Sequence, residues 1–182
     1  MFEALKQLPQ DPILQLMQMF RYDIRSDKVD LGIGVYKDDE GNTPIMTAVH
    51  EAERRLLEGE TTKSYVGPAG AAGFNDAMAR LIMGDSNSLI RDGRTSVIQT
   101  PGGCGALSIR SRSCPSYIWR IRASAKASRK MPPAHGAAIV EIILDDNVLR
   151  AEWQLELGGM CARILSLRHA FADYLMAQKE AR

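Results

Sequence analysis

Several features that would place a protein outside a reducing compartment are scarce or missing in this sequence. It has only three cysteines, Cys104, Cys114 and Cys161, with no CxxC pair, so it predicts neither a disulfide framework nor a zinc site. No window reaches about 18 uninterrupted apolar residues, and the first residues lack the basic and apolar regions of a leader peptide. We therefore expect a cytoplasmic protein that is neither exported nor embedded in a membrane.

An excess of charge of one sign is also missing. Lysine and arginine number 23 against 22 aspartates and glutamates, a net charge of +1, which argues against electrostatic binding of nucleic acid or membranes by the protein as a whole. What is present is an ordinary globular composition, 45% hydrophobic and 25% charged over 182 residues. This length predicts one domain, or one and a fraction.

Regular helix and strand signals occur in two stretches of the chain, residues 1–108 and residues 132–182. The first stretch predicts a helix that starts at Asp11-Pro12, an extended run at 29–36, a turn at 38–42, helices at 46–58 and 74–83 around a glycine-rich loop at 63–73, and a strand at 95–100. The second predicts a buried helix at 134–144, a cap at 145–147 and a long amphipathic helix from 149 to about 179, with a kink or break at Gly158-Gly159.

Residues 109–131, which separate the two stretches, have a different composition. They contain seven basic residues, five serines and no acidic residue, and Pro115 would interrupt a helix that continued from Leu107. We expect this segment to be irregular. An alternative is that it acts as a nucleic-acid-binding arm, since its positive charges could contact phosphates while Tyr117 and Trp119 stack on bases.

The most informative local pattern is the predicted strand at 95–100 that runs into TPGGCGAL. A helix that starts at this glycine turn would expose unpaired N–H groups and its positive dipole end, and glycines would let an anion approach the backbone. The pattern therefore predicts a phosphate-binding turn within TPGGCGAL. Taken alone it is also compatible with an ordinary turn, because it matches neither GxxxxGK[ST] nor GxGxxG.

Four longer motifs carry a resemblance to a known family. The segments GIGVYKDDEGNTPIMTAVHEAE, TTKSYVGPAG and QTPGGCGAL, and then MPPAHGAAIVEIILDDNVLRAEWQLELGGMCARILSLRHAFADYL, are similar to successive stretches of the aspartate and aromatic-amino-acid aminotransferases. The resemblance covers 1–108 and 132–182, while most of what the family has between these blocks is missing. It implies an α/β fold: an incomplete fragment of the pyridoxal phosphate (PLP)-dependent transferase fold type I, dominated by helices.

The resemblance also implies roles for individual residues. Gly102, Gly103 and Cys104 fall on the loop that holds the phosphate of pyridoxal 5'-phosphate, although the family usually has threonine at the position of Cys104. Tyr65 matches the tyrosine that reaches the cofactor phosphate of the other subunit, which implies a homodimer with shared active sites, and residues 1–16 match an arm that docks on that subunit. Gly34 matches a glycine beside the substrate. Read locally, Tyr65 is an ordinary loop tyrosine and Gly34 ends an extended run.

The groups that the family uses for transamination are not matched in this sequence. Transfer of an amino group between an amino acid and a 2-oxo acid needs a lysine that binds the cofactor aldehyde, an aspartate against the pyridine nitrogen and an arginine for the substrate carboxylate. None of the seven lysines lies in the family's serine-rich context. We therefore expect a non-catalytic remnant with weak or absent PLP binding. The sequence leaves open whether the ancestral substrate was aspartate or an aromatic amino acid. An alternative is a fragment that associates with an intact aminotransferase.

Overall fold

The computed structural model describes residues 11–30, 32, 34–112 and 131–180, and in this part of the chain it contains seven α-helices and no β-strand. The chain divides into two compact units, Met1–Pro44 and Ile45–Arg182. None of the helices in the described ranges is both long enough and apolar enough to cross a bilayer. The helices are α1 Pro12–Tyr22, α2 Thr47–Gly59, α3 Ala72–Met83, α4 Ser88–Arg91, α5 Gly102–Arg112, α6 Ala134–Asp145 and α7 Asn147–Glu180.

The first unit contains α1, which has a cap at each end. The Asp11 carboxylate accepts hydrogen bonds from the backbone N–H groups of Ile13 (2.8 Å) and Leu14 (3.3 Å), which confirms the predicted N-cap. At the other end, Lys28 Nζ donates to the carbonyl oxygens of Phe20 (2.8 Å) and Asp23 (2.6 Å). A cation at this end also interacts favourably with the helix dipole, so both termini of α1 are stabilised by local contacts.

The predicted turn at 38–42 is present in the same unit. The backbone N–H of Asp38 donates to the Asn42 carbonyl over 2.8 Å, and the Asp38 carboxylate accepts from the Asn42 N–H over 2.7 Å. Gly41 has a φ of +81°, a conformation in which a side chain would be strained. These bonds reverse the chain without a partner strand.

The second unit is built around α6, which contacts α2, α3 and α7. Its sequence, AHGAAIVEIILD, is apolar on most sides, which is why it lies between other helices. Small side chains let these helices approach closely: a side chain at Gly73 on α3 would overlap Glu141 on α6. The buried hydrophobic cluster consists of Ala48, Ala52, Ile139, Ile143 and Leu149, with Val49, Leu56, Ile142 and Trp153 packed against it.

A buried glutamine connects the two stretches of the second unit that lie on either side of residues 113–130. Gln99 is only 7% exposed, and its Nε2 donates to the Pro133 carbonyl over 2.7 Å while its Oε1 accepts from the Ala71 N–H over 3.0 Å. Its own N–H donates to the Ala69 carbonyl over 3.0 Å. A side chain at Gly70, where φ is +87°, would overlap Gln99. The close approach of Gln99 therefore requires glycine at position 70.

A carboxylate of α7 caps the N-terminus of α2. Met46, at the N-cap position, has no side-chain oxygen to accept from the first turn. Instead Glu156 Oε1 accepts from the Thr47 N–H (2.9 Å) and from the Thr47 hydroxyl (2.8 Å). The hydrogen bond from the Thr47 N–H lowers the pKa of Glu156 below its usual value. Residues 109 positions apart in the sequence therefore share one helix cap.

Ion pairs surround the same helix junctions. Arg55 on α2 binds Glu51 on its own helix and Asp146, the residue between α6 and α7, each over 2.7 Å. Asp146 also accepts from the N–H groups of Val148 and Leu149, as predicted for a cap at the start of α7. Hydrogen bonds from Arg54, and then from Arg55, lower the pKa of Glu51 to about 2. Because these groups are exposed, the pairs contribute little stability individually.

Three expectations differ from the structure. The strand predicted at 95–100 is wrong, since these residues belong to no strand and no neighbouring strand is available in the described ranges to pair with them. Of the kink or break predicted at Gly158-Gly159, the break is wrong: α7 is one helix, and a cost of about 1 kcal/mol per glycine does not outweigh the other helix-forming residues. Helix α5 extends to Arg112, four residues into the segment expected to be irregular. Residues 113–130, which contain most of the segment proposed as a nucleic-acid-binding arm, lie outside the described residues.

Replacing the connecting glutamine should weaken the second unit. Gln99→Ala leaves the Pro133 carbonyl and the Ala71 N–H without this partner, so we expect the free energy of unfolding to fall by about 1–3 kcal/mol. Urea unfolding followed by circular dichroism measures the change. The control is Gln154→Ala on the exposed side of α7, which should change stability by less than about 0.5 kcal/mol. Equal effects of the two substitutions would contradict the assigned role of Gln99.

The Glu156 cap predicts a pH-dependent contribution to stability. Its pKa is lowered in the folded state, so the contribution is present above the unfolded-state pKa and is lost as the pH falls through the folded-state pKa. Glu156→Gln keeps an acceptor oxygen but no longer titrates. The stability difference between the original chain and this variant should therefore shrink between pH 6 and pH 3 in urea titrations. The matched Glu152→Gln, whose side chain makes no hydrogen bond to a described residue, should give a nearly constant difference.

Candidate functional site

The N-terminus of α5 is the candidate site in the second unit. Gly102 begins the helix with a φ of +65°, and its N–H donates to the Thr100 carbonyl over 2.8 Å while the Thr100 hydroxyl donates to the Gly102 carbonyl over 2.9 Å. These short contacts turn the chain sharply into the helix. The N–H groups of Gly103 and Cys104 follow in the first turn, where amides have no carbonyl partner within the helix. The structure thus brings Gly102, Gly103 and Cys104 together in one turn.

The space around this turn differs between its glycines. A side-chain carbon at Gly103 would have no heavy atom of the described residues within 4 Å, so in this part of the structure that face of the turn is open. At Gly105 the same carbon would lie 2.8 Å from Pro101 Cδ and 3.2 Å from Thr100 Cβ. Gly105 therefore serves the sharp turn, whereas the open face at Gly103 leaves room for an anion to reach the backbone.

The side chains of Cys104 and Tyr65 are both exposed. Cys104 is a free thiol on the first turn of α5. Tyr65 lies in the connection between α2 and α3 and is 92% exposed. Neither side chain forms a hydrogen bond to any described residue, so the structure does not bring Tyr65 to the α5 turn within one chain. An exposed hydroxyl of this kind is free to contact another molecule.

Gly34 lies in the first unit. It is exposed, its φ is not in the left-handed region, and a side-chain carbon there would have no heavy atom within 4 Å. Local geometry therefore does not require glycine at this position. Its predicted role beside the substrate stays a prediction.

Most of the described lysines already have partners. Lys28 donates to carbonyls at the end of α1, Lys37 binds Asp30 over 2.6 Å, and Lys63 pairs with Glu60. In the second unit neither Lys63 nor Lys179, in the last turn of α7, hydrogen-bonds to the first turn of α5. Lys6, Lys126 and Lys130 lie outside the described residues. Within the described part of the second unit, the first turn of α5 therefore has no amine bonded to it.

Two polar residues near the site were not predicted. Gln99 fixes the segment directly before Thr100-Pro101, so it positions the entry to α5. Asn75 on α3 is buried, its Nδ2 donates to the Ala69 carbonyl over 2.9 Å, and its Oδ1 has no partner. Asn75 lines an open cleft of about 510 Å³ next to residues 95–97. A polar residue on the apolar face of a predicted helix was the available signal for Asn75, whereas nothing local indicated the long-range bonds of Gln99.

The sequence is similar to known aminotransferases over its first part. Residues 26–115 match the family model described as aminotransferase class I and II. The chain is 50% identical over 109 residues to the aspartate aminotransferase of Escherichia coli (strain K12), which is 60% of this chain and 28% of that protein. It is 51% identical over 106 residues to an aromatic-amino-acid aminotransferase of Pseudomonas aeruginosa, 58% of this chain and 27% of that protein. The chain thus matches little more than a quarter of the length of these relatives.

Solved structures extend the similarity to the fold. An aromatic-amino-acid aminotransferase from Burkholderia pseudomallei, covalently bound to pyridoxal phosphate, superposes with a TM-score of 0.76 over 92% of this chain and 81% of that chain, at 21% identity. One from Burkholderia cenocepacia J2315 gives a TM-score of 0.56 at 40% identity over 61% of this chain and 28% of that chain. The helix-dominated, partial fold type I predicted from the sequence is confirmed. Residues 26–115 therefore belong to the aminotransferase class I and II family, and the chain carries part of that family's fold.

Proposed function

We propose that this chain is an aminotransferase-family protein that has kept an anion-binding turn for the cofactor phosphate and has lost the ability to transaminate. The observation that carries the proposal is the first turn of α5. It carries the backbone N–H groups of Gly103 and Cys104 beside the open face at Gly103, and of the lysines described in the second unit, neither Lys63 nor Lys179 bonds to it. A phosphate could therefore be held there, while among the described residues no amine that could react with the cofactor aldehyde is bonded to this turn.

The turn fits the phosphate of pyridoxal 5'-phosphate better than it fits the rest of that molecule. When bound in an intact family member, the cofactor supplies an electron-withdrawing ring that stabilises negative charge on the substrate. In this chain, Gly103 and Cys104 would orient the phosphate through their backbone N–H groups, and the positive end of the α5 dipole would favour its charge. The thiol of Cys104 is a weaker hydrogen-bonding group than the hydroxyl usual in the family. We therefore propose weak cofactor binding.

The same proposal includes the substrates of the site and the association of two subunits. Amino acid and 2-oxo acid would be the ligands of the ancestral site, with Gly34 beside them, and the choice between aspartate and an aromatic amino acid stays open. A homodimer with shared sites, in which Tyr65 reaches the cofactor phosphate of the other subunit, is supported by the 92% exposure of Tyr65. The same exposure would let the chain associate with an intact relative. A cytoplasmic location remains a prediction from the sequence.

Restoring a hydroxyl to the turn should strengthen phosphate binding. Cys104→Thr places a stronger hydrogen-bonding group at the first turn of α5, and one such bond corresponds to a gain of about two- to tenfold in affinity. Titration calorimetry with pyridoxal 5'-phosphate and, separately, with inorganic phosphate measures the gain. Cys161→Thr, at another exposed cysteine on α7, is the matched control and should change neither affinity. A gain of the same size in both variants would contradict the assignment.

The purified chain should not transaminate. With aspartate or tyrosine, a 2-oxo acid and added pyridoxal 5'-phosphate, we expect a rate no higher than that of the free cofactor, because none of the seven lysines lies in the sequence context in which the family binds the aldehyde and moves a proton. A coupled spectrophotometric assay measures the rate, with an intact aspartate aminotransferase as positive control. Turnover together with borohydride labelling of one lysine at one cofactor per chain would refute the proposal.

A further inference from the structure

Residues 95–98 form a straight stretch of chain whose backbone groups lack partners in the described residues. The structure shows no helix, turn or bend in this stretch. At its start, the Arg94 N–H donates to the Leu89 carbonyl over 2.8 Å. At its end, the Gln99 N–H donates to the Ala69 carbonyl over 3.0 Å. Between these two bonds, none of the four residues hydrogen-bonds to any part of the chain that the structure describes.

The composition of this stretch is that of a β-strand. Thr95, Val97 and Ile98 are β-branched, a class of side chain that is enriched in strands, and all three are half-buried. Backbone polar groups in such a position normally have a hydrogen-bond partner. A strand is completed only by a neighbour that exchanges N–H and C=O bonds with it. What these residues lack, among the described ones, is therefore an extended neighbour.

A cleft of about 510 Å³ lies beside the stretch. One wall contains Thr95, Ser96 and Val97, and another consists of residues of α3. Ala69, which accepts the hydrogen bond from the Gln99 N–H, also lines the cleft. An extended segment that entered the cleft would therefore lie between the stretch and α3.

The unpaired backbone groups of Thr95 and Val97 face this cleft. In an extended chain, the N–H and C=O groups of every second residue point to the same side. Those of Thr95 and Val97 therefore lie on the side of the Gln99 N–H, which binds Ala69 at the cleft. An extended segment in the cleft can exchange hydrogen bonds with both residues.

The charges that line the cleft favour a basic ligand. Arg80 on α3 pairs with Asp145 over 2.5 Å and lies 4.0 Å from Asp85, so its charge is compensated. Asp76, also on α3 and exposed, pairs with no residue in the described ranges. A cationic side chain bound in the cleft would therefore meet a carboxylate that these residues leave unpaired.

A second copy of this chain would not enter the cleft in this way. Its own stretch has α3 beside the edge that would have to pair, so the two α3 helices would occupy the same space. A short extended peptide segment carries no helix along its edge. Binding in which a peptide adds a strand to an unpaired edge gains its affinity from main-chain hydrogen bonds.

We propose that residues 95–98 bind an extended peptide segment of another protein as an added β-strand, with a basic side chain of that segment beside Asp76. Thr95 and Val97 exchange backbone hydrogen bonds with the segment, and α3 covers one of its faces. The contact uses neither the first turn of α5 nor Tyr65, so it does not depend on the function proposed above.

Fluorescence anisotropy with labelled synthetic peptides and the full chain tests the proposal. The probe is a peptide of about eight residues that alternates valine and lysine, and we expect it to bind with a Kd below about 1 mM. The matched control has the same side chains but a methyl group on every backbone nitrogen. It cannot donate to the carbonyls of Thr95 and Val97, so it should bind at least tenfold more weakly. A peptide that alternates valine and glutamate should bind at least threefold more weakly.

Substitutions in the chain test which edge of the stretch is used. Val97→Pro removes an N–H that faces the cleft and should raise the Kd at least fivefold, whereas Ser96→Pro removes one on the opposite side and should stay within threefold. Asp76→Asn should raise the Kd of the valine–lysine peptide about two- to fivefold. The matched Asp173→Asn, at an exposed carboxylate of α7, should leave it unchanged.

Several outcomes would overturn the proposal. These are no binding of the valine–lysine peptide at about 1 mM, equal affinity for the methylated peptide, and equal effects of the two proline or of the two asparagine substitutions. Dimerisation in sedimentation velocity that Val97→Pro abolishes would assign the edge to a second copy and would overturn it as well. The methylated peptide is tested on the unaltered chain, so that comparison holds even where a proline variant fails to fold.

Discussion

The hydrogen bonds of one buried glutamine join three segments of the second unit: the loop before α3, the entry to α6 and the segment that leads into α5. Gln99 binds the loop before α3 through Ala69 and Ala71 and binds the entry to α6 through Pro133. Since a buried amide without partners is costly, the arrangement is stable only while all three segments are in place. Gly70 completes the fit, because a side chain there would overlap Gln99. This connection anchors the segment that leads into the candidate site.

The candidate site depends on Gln99 because the turn into α5 follows it directly. Thr100 and Gly102 exchange two short hydrogen bonds immediately after the buried glutamine, so the direction in which α5 starts is set by a residue anchored in the core. The proposed binding of an anion at this turn needs such support, since the N–H groups must point at one place. The turn therefore keeps a defined geometry although the α/β sheet of the wider family is not present in the described residues.

Features whose contacts lie within a few residues along the chain could be predicted from the sequence, whereas features that depend on distant residues could not. The caps at Asp11 and Asp146 and the helices of the core were predicted because their signals lie within a few residues of each other. The strand at 95–100 was predicted from local propensity, but a strand needs a neighbour, and sequence alone does not show whether one is present. Gln99 and Glu156 were missed for a related reason: their partners lie 34 and 109 residues away.

The shared cap between Glu156 and Thr47 sets an order of events while the chain is being made. Residue 156 is synthesised 109 residues after residue 47, which at about 5–20 residues per second is a delay of roughly 5–20 s. During that interval the leading amides of α2 have only water as a partner, and α6, against which α2 is buried, does not yet exist. The N-terminal part of the nascent chain therefore stays incompletely folded, and accessible to chaperones and proteases, until α6 and α7 have been synthesised.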